Sequence, residues 1–195
     1  MKPLIYAGLL AASTLTEPAL AQAPTTTTPA PAPTVTAPAV VPGAPVAPLT
    51  TGDEHFVVAQ LEGNLAEIQE GQLALKNSHN QEVRQFAEKM ITDHSYAQDT
   101  LDQIAGVHHL QIPTMLTEQD HEMLERLSKL DGPVFDQAYV EDMVRKHAMM
   151  VEQLNAQLVH GVDAHINAWV QNTRPIVLQH SEIVQQVQAK LPRTG

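Results

Sequence analysis

The sequence predicts an all-α fold. Apolar residues recur every three or four positions in four long segments, and glycine, proline or capping signals separate these segments. No stretch alternates apolar and polar residues over a length useful for a strand. The clearest helical segment is residues 133–160, where an apolar stripe contains a histidine, His147, at its centre.

Composition divides the chain into three regions. Residues 1–21 combine a charged start, a short apolar run and the small residues Ala19-Leu20-Ala21, which is typical of a secretory signal peptide. Residues 22–52 are nearly all Ala, Pro, Thr and Val, which predicts a disordered, extended tether. The folded domain is expected over residues 53–195. We therefore expect export to the periplasm, with outer-membrane association left open, and no transmembrane span after signal cleavage, since the apolar run is too short.

Caps and periodicity define the helices. Ser78 with Gln81 forms a capping-box pattern, and Asp163 is a candidate N-cap for the last helix. Gly63 and Gly71 give the first helix a strip of small residues, which predicts close approach of a neighbouring helix. The predicted helices cover residues 53–77, 78–105, 117–130, 133–160 and 164–191.

The lengths of the connections predict the topology. The first two long helices and the last two are joined by short loops, so each pair should be antiparallel. Residues 106–132 are long enough to cross the bundle and carry the short helix. Two antiparallel pairs joined by one long crossover form a ferritin-like four-helix bundle, which we take as the predicted fold.

Three histidines point toward the predicted core. His94, His147 and His180 each lie within an apolar stripe, and counting along the helices places all three near mid-bundle. A buried polar group without a partner costs roughly 1–3 kcal/mol, so three imidazoles in a core need partners. A shared metal ion would provide one, and neutral imidazole suits zinc, iron or copper. Hydrogen bonds to core carbonyls or carboxylates are the alternative interpretation.

Carboxylates near these histidines complete the candidate site. Glu67, at the edge of the buried face of the first helix, is the predicted carboxylate ligand. Asp93 and Asp142 are candidates for hydrogen bonds that orient the metal-bound rings. For each of these two, a solvated or helix-dipole-related position is the favoured interpretation.

Several function classes are disfavoured by composition. The formal net charge is -11 and aromatic residues make up 4% of the chain, so nucleic acid is not an expected partner. There is no cysteine and no glycine-rich phosphate loop. The Glu-x-x-His motif of di-iron bundles occurs only at Glu118 to His121, on the short crossover helix. An enzyme is therefore not the preferred interpretation, and a protein partner or homo-oligomer is left open.

A series of residues and short motifs occurs in a characteristic order along residues 56–191. They are Phe56, Ala66-Glu67-Ile68, Gly71, Leu73-Ala74, Phe86-Ala87, Met90-Ile91, Asp93-His94, Phe135-Asp136, Tyr139, Met143-Val144, His147, Pro175 and His180. This order resembles that of a bacterial family, the domain of unknown function 4142, which is described as predicted secreted or outer-membrane proteins with a ferritin-like fold. The resemblance implies that Glu67, His94, His147 and His180 are its shared polar positions, whereas Glu70 and Arg174 depart from it.

Two hypotheses follow. The first is a periplasmic bundle that binds one divalent metal for storage, buffering or sensing. The second is a module for envelope stress or protein interaction whose hydrogen-bonded core histidines respond to pH near their unperturbed pKa of about 6.5. A redox enzyme ranks third, because the sequence offers ligands for barely one site.

Overall fold

A computed structural model describes residues 47–192 and confirms the all-α prediction. Within that range there are five helices and no strand. The first helix begins two residues before the predicted start of the domain. Residues 1–46, which include the predicted signal peptide and most of the predicted tether, lie outside the described residues. The helices are α1 Thr51–Asn77, α2 Gln81–Val107, α3 Glu118–Ser128, α4 Gly132–His160 and α5 Ala164–Lys190.

The four long helices form two antiparallel pairs. Three-residue loops, 78–80 and 161–163, join α1 to α2 and α4 to α5. Residues 108–131, which contain α3, connect the pairs. Across the pairs, α2 packs on α5 and α1 packs on α4, so the helices occupy the corners of a square. This is the predicted ferritin-like connectivity.

Side-chain caps define the helix starts, with one difference from the sequence prediction. Asp163 caps α5 as predicted, through hydrogen bonds from the backbone of the first turn. The expected capping box at Ser78 is wrong, because Asn80 is the N-cap of α2 and accepts from the Glu82 and Val83 amides. Ser78 instead ends α1, where its backbone N–H still donates to Ala74.

The apolar core consists of two clusters stacked along the bundle axis. One contains Leu101, Leu154 and Trp169, and the other contains Phe86 and Tyr139. On α2, α4 and α5, residues three or four positions to either side of the central histidine belong to different clusters. The three histidines therefore lie at the level where the two clusters meet.

Small residues bring α1 and α2 together at one of the two predicted points. A side chain at Gly71 would place its Cβ 2.9 Å from Ile91 Cγ1 and 3.3 Å from the Ala87 carbonyl oxygen. Gly63 has no such neighbour within 4 Å. The predicted close approach therefore occurs at Gly71, one turn after Glu67.

No helix within residues 47–192 combines the length and apolar character that crossing a membrane requires.

A buried carboxylate ties the start of α1 to the loop between α4 and α5. Asp53 is 1% exposed and accepts hydrogen bonds from Gln157 Nε2 at 2.6 Å, from the Thr50 hydroxyl at 2.8 Å and from the Val162 amide at 3.3 Å. Burial alone would raise the pKa of Asp53, but these hydrogen bonds outweigh it and hold the pKa below its ordinary value. Asp53 is therefore an ionised anchor for three segments of chain.

We expect Asp53→Ala to lower the free energy of unfolding by about 2–3 kcal/mol at pH 7, because it removes charge-assisted hydrogen bonds and leaves buried donors unpaired. A group whose pKa is depressed by folding stabilises above its unfolded pKa of about 3.9, and this stabilisation is lost as the pH falls through the folded pKa. The difference between the wild type and the variant should therefore shrink below about pH 4. Urea unfolding at pH 7 and pH 3 measures both effects.

Glu54→Ala is the matched control, since Glu54 is exposed in the same helical turn. It should change the unfolding free energy by less than about 0.5 kcal/mol. Equal losses in the two variants would contradict the anchoring role of Asp53.

Candidate metal centre

Three helices each place one histidine at the centre of the bundle. His94 on α2, His147 on α4 and His180 on α5 are 3%, 0% and 1% exposed. Their ring centroids lie 5.4–5.9 Å apart. The apolar stripes described in the sequence therefore do bring the three predicted residues together.

Each ring has one nitrogen that faces away from the other two rings toward a hydrogen-bond acceptor. His147 Nδ1 lies 2.9 Å from the carbonyl oxygen of Met143, one turn earlier in α4. His180 Nε2 lies 2.7 Å from Asp93 Oδ2. His94 Nδ1 lies 2.9 Å from Asn64 Oδ1. Because all three partners are oxygen acceptors, these hydrogen bonds place a proton on each outer nitrogen.

The remaining nitrogens face one another. His147 Nε2 and His180 Nδ1 are 3.4 Å apart, and His94 Nε2 is buried without a hydrogen-bond partner. One ligand atom from each histidine lies within 4.8 Å of the other two. A tetrahedral ion with metal–nitrogen bonds of about 2.0–2.1 Å would place two such nitrogens about 3.3 Å apart. One pair already has this spacing, and the nitrogen of the third ring lies within 4.8 Å of both.

Burial disfavours the charged forms of His94 and His147. It lowers the pKa of His94 to about 4, with Glu67 acting in the opposite direction, and it also lowers the pKa of His147. A neutral imidazole keeps a lone pair available for a metal. His94 and His147 therefore offer nitrogen ligands at neutral pH without first having to lose protons.

Glu67 lies beside the cluster, but on the outer side of the rings. Its Oε2 is 3.1 Å from His94 Nδ1, and its Oε1 is 3.8 Å from His147 Nδ1. The His94 proton points better at Asn64, which leaves Glu67 Oε2 without a hydrogen bond. Burial raises the pKa of Glu67, whereas the Lys146 ammonium, and His94 and His147 in their protonated forms, lower it below its ordinary value. Glu67 thus places a buried carboxyl group next to the three rings.

The two aspartates expected to orient the rings have different environments. Asp93 accepts from His180 and also pairs with Lys89 at 2.9 Å. Burial would raise the pKa of Asp93, whereas these two partners lower it. Asp142 pairs instead with Arg145 and, at 3.6 Å, with Lys146. The position expected for Asp142, at His147 Nδ1, is taken by the Met143 carbonyl.

Two partners of the rings were not identified from the sequence. A main-chain acceptor such as the Met143 carbonyl cannot be recognised from the types of side chain in the sequence. Asn64 lies one turn before Glu67 on α1, so the spacing of polar residues on a buried face was a signal that could have identified it.

A buried ion cluster adjoins the site on the side of α1 and α3. Lys146 Nζ lies 2.8 Å from Glu70, 3.0 Å from Asp120 and 3.6 Å from Asp142. Burial would lower the pKa of Lys146, but the Glu70 and Asp142 carboxylates raise it above its ordinary value. Lys146 therefore stays protonated, and through Asp120 it also holds the crossover helix against the bundle. This explains how Glu70, which departs from the family pattern, is accommodated in the core.

Lys146→Met should lower the free energy of unfolding by about 3–5 kcal/mol, because Glu70 and Asp142 would remain buried without their cation. Lys190→Met is the control, since the Lys190–Glu82 pair is exposed and should contribute less than about 1 kcal/mol. Urea unfolding of the full-length variants compares the two. A loss at Lys146 no greater than that at Lys190 would show that the buried cluster is not stabilised by its lysine.

Comparisons with known proteins support the fold. A family model described as a domain of unknown function (DUF4142) matches residues 39–187. No curated protein matches the chain. Among solved structures, a DUF305 fragment from Deinococcus radiodurans is 14% identical with a TM-score of 0.66, over 74% of this chain and 100% of the fragment. A DUF305 protein from Streptomyces coelicolor, described as a predicted secreted protein, is 12% identical with a TM-score of 0.61, over 73% of this chain and 96% of that one. At these identities the likeness concerns the helical bundle alone.

Proposed function

We propose that this chain, which belongs to the family of the domain of unknown function DUF4142, binds one divalent transition-metal ion through His94, His147 and His180. The family assignment does not include an activity, so the proposal rests on the geometry of these three residues.

The observation that carries the proposal is the direction of the ring nitrogens. Each outer nitrogen has an oxygen acceptor, so the three inner nitrogens direct lone pairs toward one another among rings that are at most 3% exposed. Three acceptors without a donor are unfavourable in a core. A cation shared by the three rings removes this repulsion, and oxygen acceptors behind metal-bound histidines are the usual means of fixing ring orientation.

The ligand set favours zinc, iron or copper. Three nitrogen ligands and no sulfur suit borderline divalent ions. In this proposal Glu67 acts mainly through its charge: it offsets one of the two positive charges of the ion and, with Asn64, faces His94 Nδ1. Asp93 has the corresponding position at His180. This gives Glu67 a different role from the direct ligation that the sequence analysis predicted.

The position of the site suits storage, buffering or sensing better than catalysis of a large substrate. The three ligands come from three helices and are at most 3% exposed. Metal binding would therefore join α2, α4 and α5 and couple occupancy to the stability of the bundle. The predicted signal peptide, together with the description of one structural neighbour as a predicted secreted protein, supports a periplasmic location.

The alternative role, a module whose core histidines respond to mild acid, has less support. It needs titration near pH 6.5, whereas burial lowers the pKa of His94 to about 4. The outer hydrogen bonds of the rings fit both roles. A shared cation would satisfy all three inner nitrogens, whereas a proton between His147 and His180 would satisfy only the pair that lies 3.4 Å apart.

The test is metal binding by the full-length chain, freed of metal and then titrated with zinc, copper or ferrous iron. We expect one ion per chain. At a free-ion concentration of 100 Kd, binding should stabilise the fold by about 2.7 kcal/mol and raise the melting temperature by roughly 5–10 °C. His147→Gln, which keeps the side-chain size but removes one ring, should weaken binding by at least about 100-fold.

His121→Gln is the matched control, since His121 is exposed on α3. It should bind and melt like the wild type. Absence of stoichiometric metal, with a melting temperature indifferent to ions and to chelator, would contradict the proposal and favour the non-metal role. Equal loss of binding in both variants would show that the metal is held elsewhere.

A further inference from the structure

A narrow cleft between α2 and α5 reaches the histidine cluster. His94 and His180 contribute to its lining, whereas His147 does not. The cleft contains about 20 Å³ of space that water-sized groups can occupy. One water molecule needs about 10–15 Å³ of such space. The cleft therefore has room for one or two water-sized groups beside two of the three rings.

Most of the exposed area of the cleft walls is apolar, although the lining also includes Asp93 and Thr173. Ala97 lies on the α2 side, and Ile176 and Val177 lie on the α5 side. Trp169 contributes to the lining and is fixed across the two helices, because its indole N–H lies 3.1 Å from the Thr100 hydroxyl and 3.3 Å from the Ala97 carbonyl. Such walls exclude large or highly charged molecules but admit a small molecule or ion whose donor atom can then bind a metal.

The other surroundings of the cluster are occupied. The Phe86 ring lies 6.3 Å from His147 and 6.4 Å from His180, centroid to centroid. Glu67 lies against the outer nitrogens of His94 and His147 and not between the inner nitrogens. An ion held by three protein ligands has a fourth position to fill, and in open zinc sites an exogenous ligand takes it.

We infer that the metal bound by the three histidines keeps an open coordination position facing the α2–α5 cleft, and that the cleft admits one small exogenous ligand. This inference rests on the proposed function. The ligand class is water, hydroxide or a small anion of two or three heavy atoms. An ion with three nitrogen ligands accepts a further donor atom, and the size of the cleft sets the upper limit on the ligand.

Azide titration of the full-length, Co(II)-loaded protein tests the inference. Cobalt replaces zinc at nitrogen sites, and its visible absorption changes with coordination. We expect a saturable change in the cobalt spectrum on adding azide.

Ile176, a half-buried residue of the cleft wall, is the position to vary. Ile176→Trp should weaken azide binding by at least about tenfold by filling the cleft, whereas Ile176→Ala should bind azide at least as tightly as the wild type. Cobalt affinity should stay within about twofold in both.

Leu178→Trp is the matched control, because Leu178 is also half-buried on α5 but does not line the cleft. It should bind azide like the wild type. An unchanged cobalt spectrum with azide, or equal azide affinity in Ile176→Trp and Leu178→Trp, would overturn the cleft inference and leave metal binding intact. If cobalt itself does not bind, both the inference and the proposed function fail.

Discussion

The convergence of three imidazoles at the centre of the bundle is the constraint on which the rest of the structure depends. Their outer nitrogens are fixed by the Met143 carbonyl, by Asn64 and by Asp93. This orientation directs their inner nitrogens toward one another. Because the three rings are at most 3% exposed, a shared cation would stabilise this arrangement.

The bundle places charge around this centre in separate layers. Glu67 and Asp93 lie behind the rings, where their negative charge would balance the proposed cation from outside its coordination sphere. Lys146 pairs with the further buried carboxyl groups of Glu70 and Asp142. The apolar clusters at both ends of the site hold the helices at a fixed spacing. These surroundings would suit one ion at the three rings.

Much of the fold could be predicted from the sequence, because helical periodicity, caps and loop lengths are local properties of the chain. The same periodicity placed His94, His147 and His180 on inward faces, and the lengths of the helices put them at one level. The partners of the rings were harder to predict. A main-chain acceptor such as the Met143 carbonyl cannot be identified from the pattern of side chains. Asp142 does not orient the His147 ring, because its carboxylate pairs with Arg145 and Lys146. The spacing of residues along the sequence could not show whether Glu67 would be a metal ligand or would lie behind the histidine rings.

Anomalous diffraction from crystals of the zinc-loaded protein tests the central claim most directly. We expect a single strong zinc peak about 2.0–2.1 Å from His94 Nε2, His147 Nε2 and His180 Nδ1. The outer nitrogens should keep their present acceptors, and Glu67 should remain outside the coordination sphere. A zinc peak elsewhere on the protein, or inner nitrogens bridged by a water molecule with no metal between them, would contradict the account.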